Sequence, residues 1–100
     1  MLVARPLHVF NLKGRQIVSC EVLWNNPHDF LNKEVCFYSS EHCPKRIRIE
    51  GLSTASDLKR NVYDFHYSGT VILPEEITGH SVITDVPFKQ AMERLCPMAK

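Results

Sequence analysis

Long apolar runs are missing from this chain. None approaches the roughly 20 residues that a membrane-spanning helix needs, so no membrane role is expected. The opening MLVARPLHVFNLKG is interrupted by Arg5 and Pro6, and it lacks the charged start, apolar stretch and small-residue cleavage site of a secretory signal. The expected compartment is the cytoplasm, or the nucleus in a eukaryote. Glycine is scarce: four residues, scattered, with no G-x-G-x-x-G or Walker spacing, which excludes the usual phosphate-cradling loops. An excess of one charge is also absent, the formal net charge being +1. A nucleic-acid binder that works by bulk charge is far more basic. Internal repeats and low-complexity tracts are absent as well.

Closely spaced cysteine pairs are the next absence. Structural zinc sites bring two thiolates together on a short C-x₂₋₄-C turn. Here Cys36 and Cys43 are separated by six intervening residues, and Cys20 and Cys96 stand alone. A set of Cys36, His42, Cys43 and a distant His66 or His80 can be drawn, but no spacing supports it. In a reducing compartment all four cysteines are expected as thiols, and no metal or cofactor is expected. Nucleophilic catalysis needs a base-activated Ser or Cys in a recognisable frame, and none occurs. Asp64 and His66 share one side of a strand, a pairing that many β domains contain by chance. The expectation is a protein without enzymatic activity; a small enzyme or ligand-binding barrel ranks last.

What is present reads as β structure. One hundred residues, 44% hydrophobic and 23% charged, suit one globular domain over 1–100 rather than a disordered chain. LHVFNL (7–12) is a first strand, and Lys13-Gly14 offers a hairpin turn. Val18, Cys20, Val22 and Trp24 alternate along a second. NNPHD (25–29) is turn chemistry, with Phe30 and Leu31 pinning it to the core. EVCFY places Val35 and Phe37 on one face. RIRIE alternates cleanly, with Ile47 and Ile49 inward and Arg46, Arg48 and Glu50 outward. GLSTASDLKRN (51–61) reads as a loop or short helix. In NVYDFHYSGTVIL, Tyr63, Phe65 and Tyr67 share a face, and Gly69 marks a bulge or corner. PEEITGH is a turn, SVITDV a last strand, and Phe88, Ala91, Met92 and Leu95 form one stripe of a helix opened by Pro87.

The sum is a mainly β fold, α+β at the margin. It is expected as a small antiparallel barrel or strongly bent sheet of six or seven strands, with OB-like closure as one form and the C-terminal helix plugging an open end. The outline resembles small ligand-binding barrels, including those for cyclic dinucleotides. The arginine-rich opening and D/N-x-S-x-x-G motif of that type are missing, since Asp64 to Gly69 reads DFHYSG.

Two binding readings remain. Lys45, Arg46, Arg48, Lys59 and Arg60 set five positive charges against Glu50 and Asp57 within sixteen residues. Such a patch, with Tyr38, Tyr63, Phe65 or Tyr67 as stacking platforms, is what a single-stranded nucleic-acid binder needs. The same aromatics at period two equally describe a core. A protein partner is the first expectation, because near-neutral charge fits it better. Lys45, Arg46, Arg48, Lys59 and Arg60 are the expected contacts, with Trp24 and Tyr38 as aromatic anchors. A homodimer through an edge strand, at 46–50 or in the last strand, is compatible with the pattern.

Overall fold

The computed structural model describes residues 1–12, 14–41, 44–54 and 61–95. Six antiparallel strands close into a barrel in the order β1-β2-β5-β4-β3-β6. They are β1 (Val3–Leu12), β2 (Arg15–Glu21), β3 (Glu34–Tyr38), β4 (Lys45–Thr54), β5 (Val62–Gly69) and β6 (Val82–Thr84), and one helix, α1 (Phe88–Leu95), follows. A five-stranded OB barrel is therefore not the form that closure takes.

Alternation explains the interior. Val18, Cys20, Val22, Val35, Phe37, Ile47, Ile49, Phe65 and Tyr67 point inward and fill the barrel. Tyr63 packs against the same core, so the period-two aromatics of β5 are core residues and not stacking platforms. β1 begins at Val3 and not at Leu7, because Val3 and Ala4 pair with Thr84 and Ile83 of β6. Pro6 is accommodated inside the strand at a register shift between Pro6 and His8, where a bulge relaxes the ladder that proline would break. β4 likewise runs through Gly51 to Thr54, past a second shift between Ile49 and Gly51. That shift absorbs Glu50 and keeps Leu52 opposite Phe65.

Each end of the barrel has its own stopper. After β2, Asn26 caps a 3-10 turn, Pro27–Phe30, by accepting the His28 N–H. The turn sends Phe30 inward against Phe65, ring centroids 5.0 Å apart. The segment after β5 buries Ile72 and lays Ile77 over the other end. It is fixed there by the Ile72 N–H donating to the Tyr67 hydroxyl at 3.1 Å.

The helix does not plug an end. Its stripe (Phe88, Ala91, Met92, Leu95) lies on the outer wall, against Val3 and Val82. All three β6 residues are buried: Ile83 faces the interior, so the outward Val82 needs a cover. With Phe30 and Ile72 already filling the ends, the outer wall was the apolar surface left to bury.

Candidate functional site

The alternation that sends Ile47 and Ile49 inward leaves Arg46 and Arg48 exposed on the outer wall. Arg46 stands opposite Cys36, and Arg48 lies between Glu34 of β3 and Ser68 of β5. On β2 the register places Gln16 against Tyr67, so Arg15, one residue earlier, falls next to Ser68. Arg15 and Arg48 thus flank Ser68, about 10 Å apart across two strand spacings. The Ser68 hydroxyl donates to Glu50 Oε2 at 2.9 Å. Arg15, Glu50, His66, Ser68 and Gly69 line a shallow depression of about 470 Å³ on this wall. The wall therefore carries both signs: Glu34 stands opposite Arg48, and Glu50 shares the depression with Arg15 and His66.

Next to the depression runs an apolar row. Phe10 of β1 pairs with Ile17 of β2, which pairs with His66 of β5. Phe10 is 44% exposed, and His66 lies across from Gly51. A Cβ at Gly51 would come 3.2 Å from His66 Cβ, so the glycine makes room for the imidazole.

The other expected contact residues are placed differently. Lys45 has the parity of Ile47 and Ile49, not that of the arginines. At the mouth of the barrel its ammonium donates to the Val71 carbonyl at 2.8 Å and to Glu76 Oε1 at 2.5 Å. Lys45 is therefore a latch between β4 and the segment that closes the barrel. Partial burial works to raise the Glu76 carboxyl, but the hydrogen bonds from Lys45 and the Leu73 N–H, with the Lys45 charge, hold it below its ordinary value. Tyr38 and Trp24 pack with the helix cluster, Tyr38 against Phe88 at 5.5 Å, and Trp24 lies beyond the end of β2. Tyr38 shares the outer face of Cys36, diagonal to Arg46, but its ring is engaged by Phe88. Lys59 and Arg60, like His42, Cys43 and Cys96, lie outside the described residues.

Sequence reading missed Arg15 and the Phe10–Ile17–His66 row. The signal was available. Ile17 breaks the otherwise polar face of its strand, and a two-residue hairpin fixes Phe10 opposite it.

Among the described residues, no group of three His, Cys, Asp or Glu side chains has a metal-holding arrangement. Burial in the barrel pushes the Cys20 thiol far up, helped by the Asp64 charge, which keeps it a poor nucleophile. Asp64 itself accepts the Ser19 hydroxyl at 2.5 Å. That serine therefore donates to a carboxylate and not to an activating imidazole. No helix among the described residues is long and apolar enough to cross a membrane. Compared with known proteins, the chain matches no family model, and neither a curated protein nor a solved structure matches it.

Proposed function

We propose that this is a non-catalytic binding or regulatory module that acts by contact with a protein partner. The contact surface is the outer wall of β4, β5 and β2. Arg46, Arg48 and Arg15 supply the polar contacts, and Ile17 supplies an apolar contact beside His66. One observation carries this reading: the wall is mixed in sign, with Glu34 directly opposite Arg48 and Glu50 sharing the depression with Arg15. A polyphosphate backbone crossing the wall would meet carboxylates at neighbouring positions, which opposes counterion-release binding. A mixed-sign wall beside an apolar contact suits a protein surface, where opposed charges fix register and partner choice.

Two further features support the same reading. The barrel interior is occupied by Phe30, Phe37, Phe65 and their neighbours, whereas a small-molecule site needs concave space. The β5 aromatics, which a single-strand binder would need outside, face the core. The test is affinity capture with the full chain, comparing it with the Arg46→Ser/Arg48→Ser variant. Support is a discrete protein retained by the native chain, confirmed by direct binding after purification and weakened at least tenfold in a variant with unchanged melting. Equal binding by both overturns the assignment.

A further inference from the structure

The homodimer expected through 46–50 or through the last strand has no free edge to use. β4 lies between β3 and β5, and β6 between β3 and β1. A free edge lies on β1 instead. β6 closes the barrel against β1 only at Val3 and Ala4. Beyond that seam β1 continues to Leu12, paired with β2 on one side. Among the described residues, no backbone hydrogen bond is made to its other side. The 3-10 turn Pro74–Glu76 lies beside β1 but contributes no backbone bond to it.

The register says which groups are open. Leu12 and Arg15 flank the two-residue turn, where the first carbonyl accepts from the fourth N–H. Bonded and non-bonded pairs then alternate along the ladder. Counting back from Leu12, Phe10 is bonded to β2, while Asn11 and Val9 turn their N–H and C=O toward the open edge. Natural sheets protect such an edge with charge, proline or a bulge. Pro6 and the neighbouring register shift blunt its start, but LHVFNL (7–12) carries no charged residue and no proline.

We infer that this edge pairs with the same edge of a second copy, antiparallel, about a two-fold axis through Phe10. Three features select a second copy over a foreign strand. The segment is uncharged, so two copies meet without repulsion. An axis at Phe10 sets Val9 opposite Asn11 of the second copy, and Asn11 opposite its Val9, so every open donor and acceptor of these residues is used. The axis also sets the two Phe10 rings against each other, covering a side chain that is otherwise 44% exposed, as the self-complementarity of an isologous contact requires. The contact is small beside the roughly 1,600 Å² of a standard interface, so the dimer dissociates on dilution. The inference does not rest on the partner reading: Arg46 and Arg48 lie away from this edge, and the two surfaces adjoin only where Phe10 pairs with Ile17.

Sedimentation of the full chain over a dilution series tests it. The native chain is expected to reach twice the monomer mass at high concentration and to dissociate on dilution. Asn11→Pro removes only an N–H that points to the open edge, and Phe10→Lys opposes two cations across the axis. Both are expected to stay monomeric with native circular dichroism. Phe10→Lys decides the matter if the proline variant does not fold. A native chain that stays monomeric up to its solubility limit, or a folded Phe10→Lys variant that still dimerises, overturns the inference.

Discussion

At the residue scale, the ion pair between Lys45 and Glu76 does a structural job that its sequence context disguises. It ties the start of β4 to the segment holding Ile72 over the barrel mouth. Because folding lowers the Glu76 carboxyl, its stabilising effect is complete above the ordinary glutamate value of about 4.3 and fades as pH falls through the lower folded value. Glu76→Gln is thus expected to lower the melting temperature at neutral pH, by a stability loss of about 1 kcal/mol or less. The gap to the native chain is expected to narrow on acidification below about pH 4; melting curves from pH 7 to pH 3 check this. A gap that is constant with pH would contradict it.

Gly69 is a second residue-scale constraint. Its φ is +108°, and a Cβ there would lie 2.8 Å from the Arg46 carbonyl. Gly69→Ala is expected to cost about 1–3 kcal/mol, measurable by urea unfolding. Of the two described free cysteines, buried Cys20 is expected to resist alkylation in the folded chain while half-exposed Cys36 reacts; mass spectrometry after timed labelling reads this. At this scale the outward pointing of Arg46 and Arg48 was legible from alternation alone. The same alternation, carried back one residue, puts Lys45 with the isoleucines. Grouping it by charge instead of by parity concealed its role, and only the tertiary path of 70–81 brings Glu76 to it.

At the element scale, α1 shows where sequence reading stops. The stripe of Phe88, Ala91, Met92 and Leu95 is visible at helical spacing, but the surface it covers depends on which end stoppers already exist. Phe30 fills one end, and its truncation is expected to be severe: Phe30→Ala costs about 3–5 kcal/mol, whereas Phe88→Ala, at the half-buried rim of the helix contact, costs less. Chemical denaturation of both variants checks the order, and the reverse order would mean that the helix contact is the weightier of the two. β1 is the second case. Its LHVFNL portion is plain in the sequence, but its first residues join the strand only because β6 pairs with them. Pro6 hides that continuity, since a proline reads as a strand breaker until a bulge accommodates it.

At the scale of the whole molecule, six strands and one helix among the described residues make barrel closure the economical way to limit open edges, and that much was readable in advance. Strand order was not. It follows from long-range pairings such as β2 with β5 and β3 with β6, which local periodicity does not encode. The candidate site shares that division: Arg46 and Arg48 lie on one strand and were legible together. Arg15 and the Phe10–Ile17–His66 row assemble from three strands and were not. The central claim is that this wall meets a protein surface and not a polyphosphate chain. Fluorescence anisotropy of labelled single-stranded DNA and RNA, at low and near-physiological salt, tests it most directly. The account predicts no binding that depends on Arg46 and Arg48 at either salt. Binding that weakens with salt and collapses in the folded Arg46→Ser/Arg48→Ser variant would contradict it and make the wall a phosphate contact.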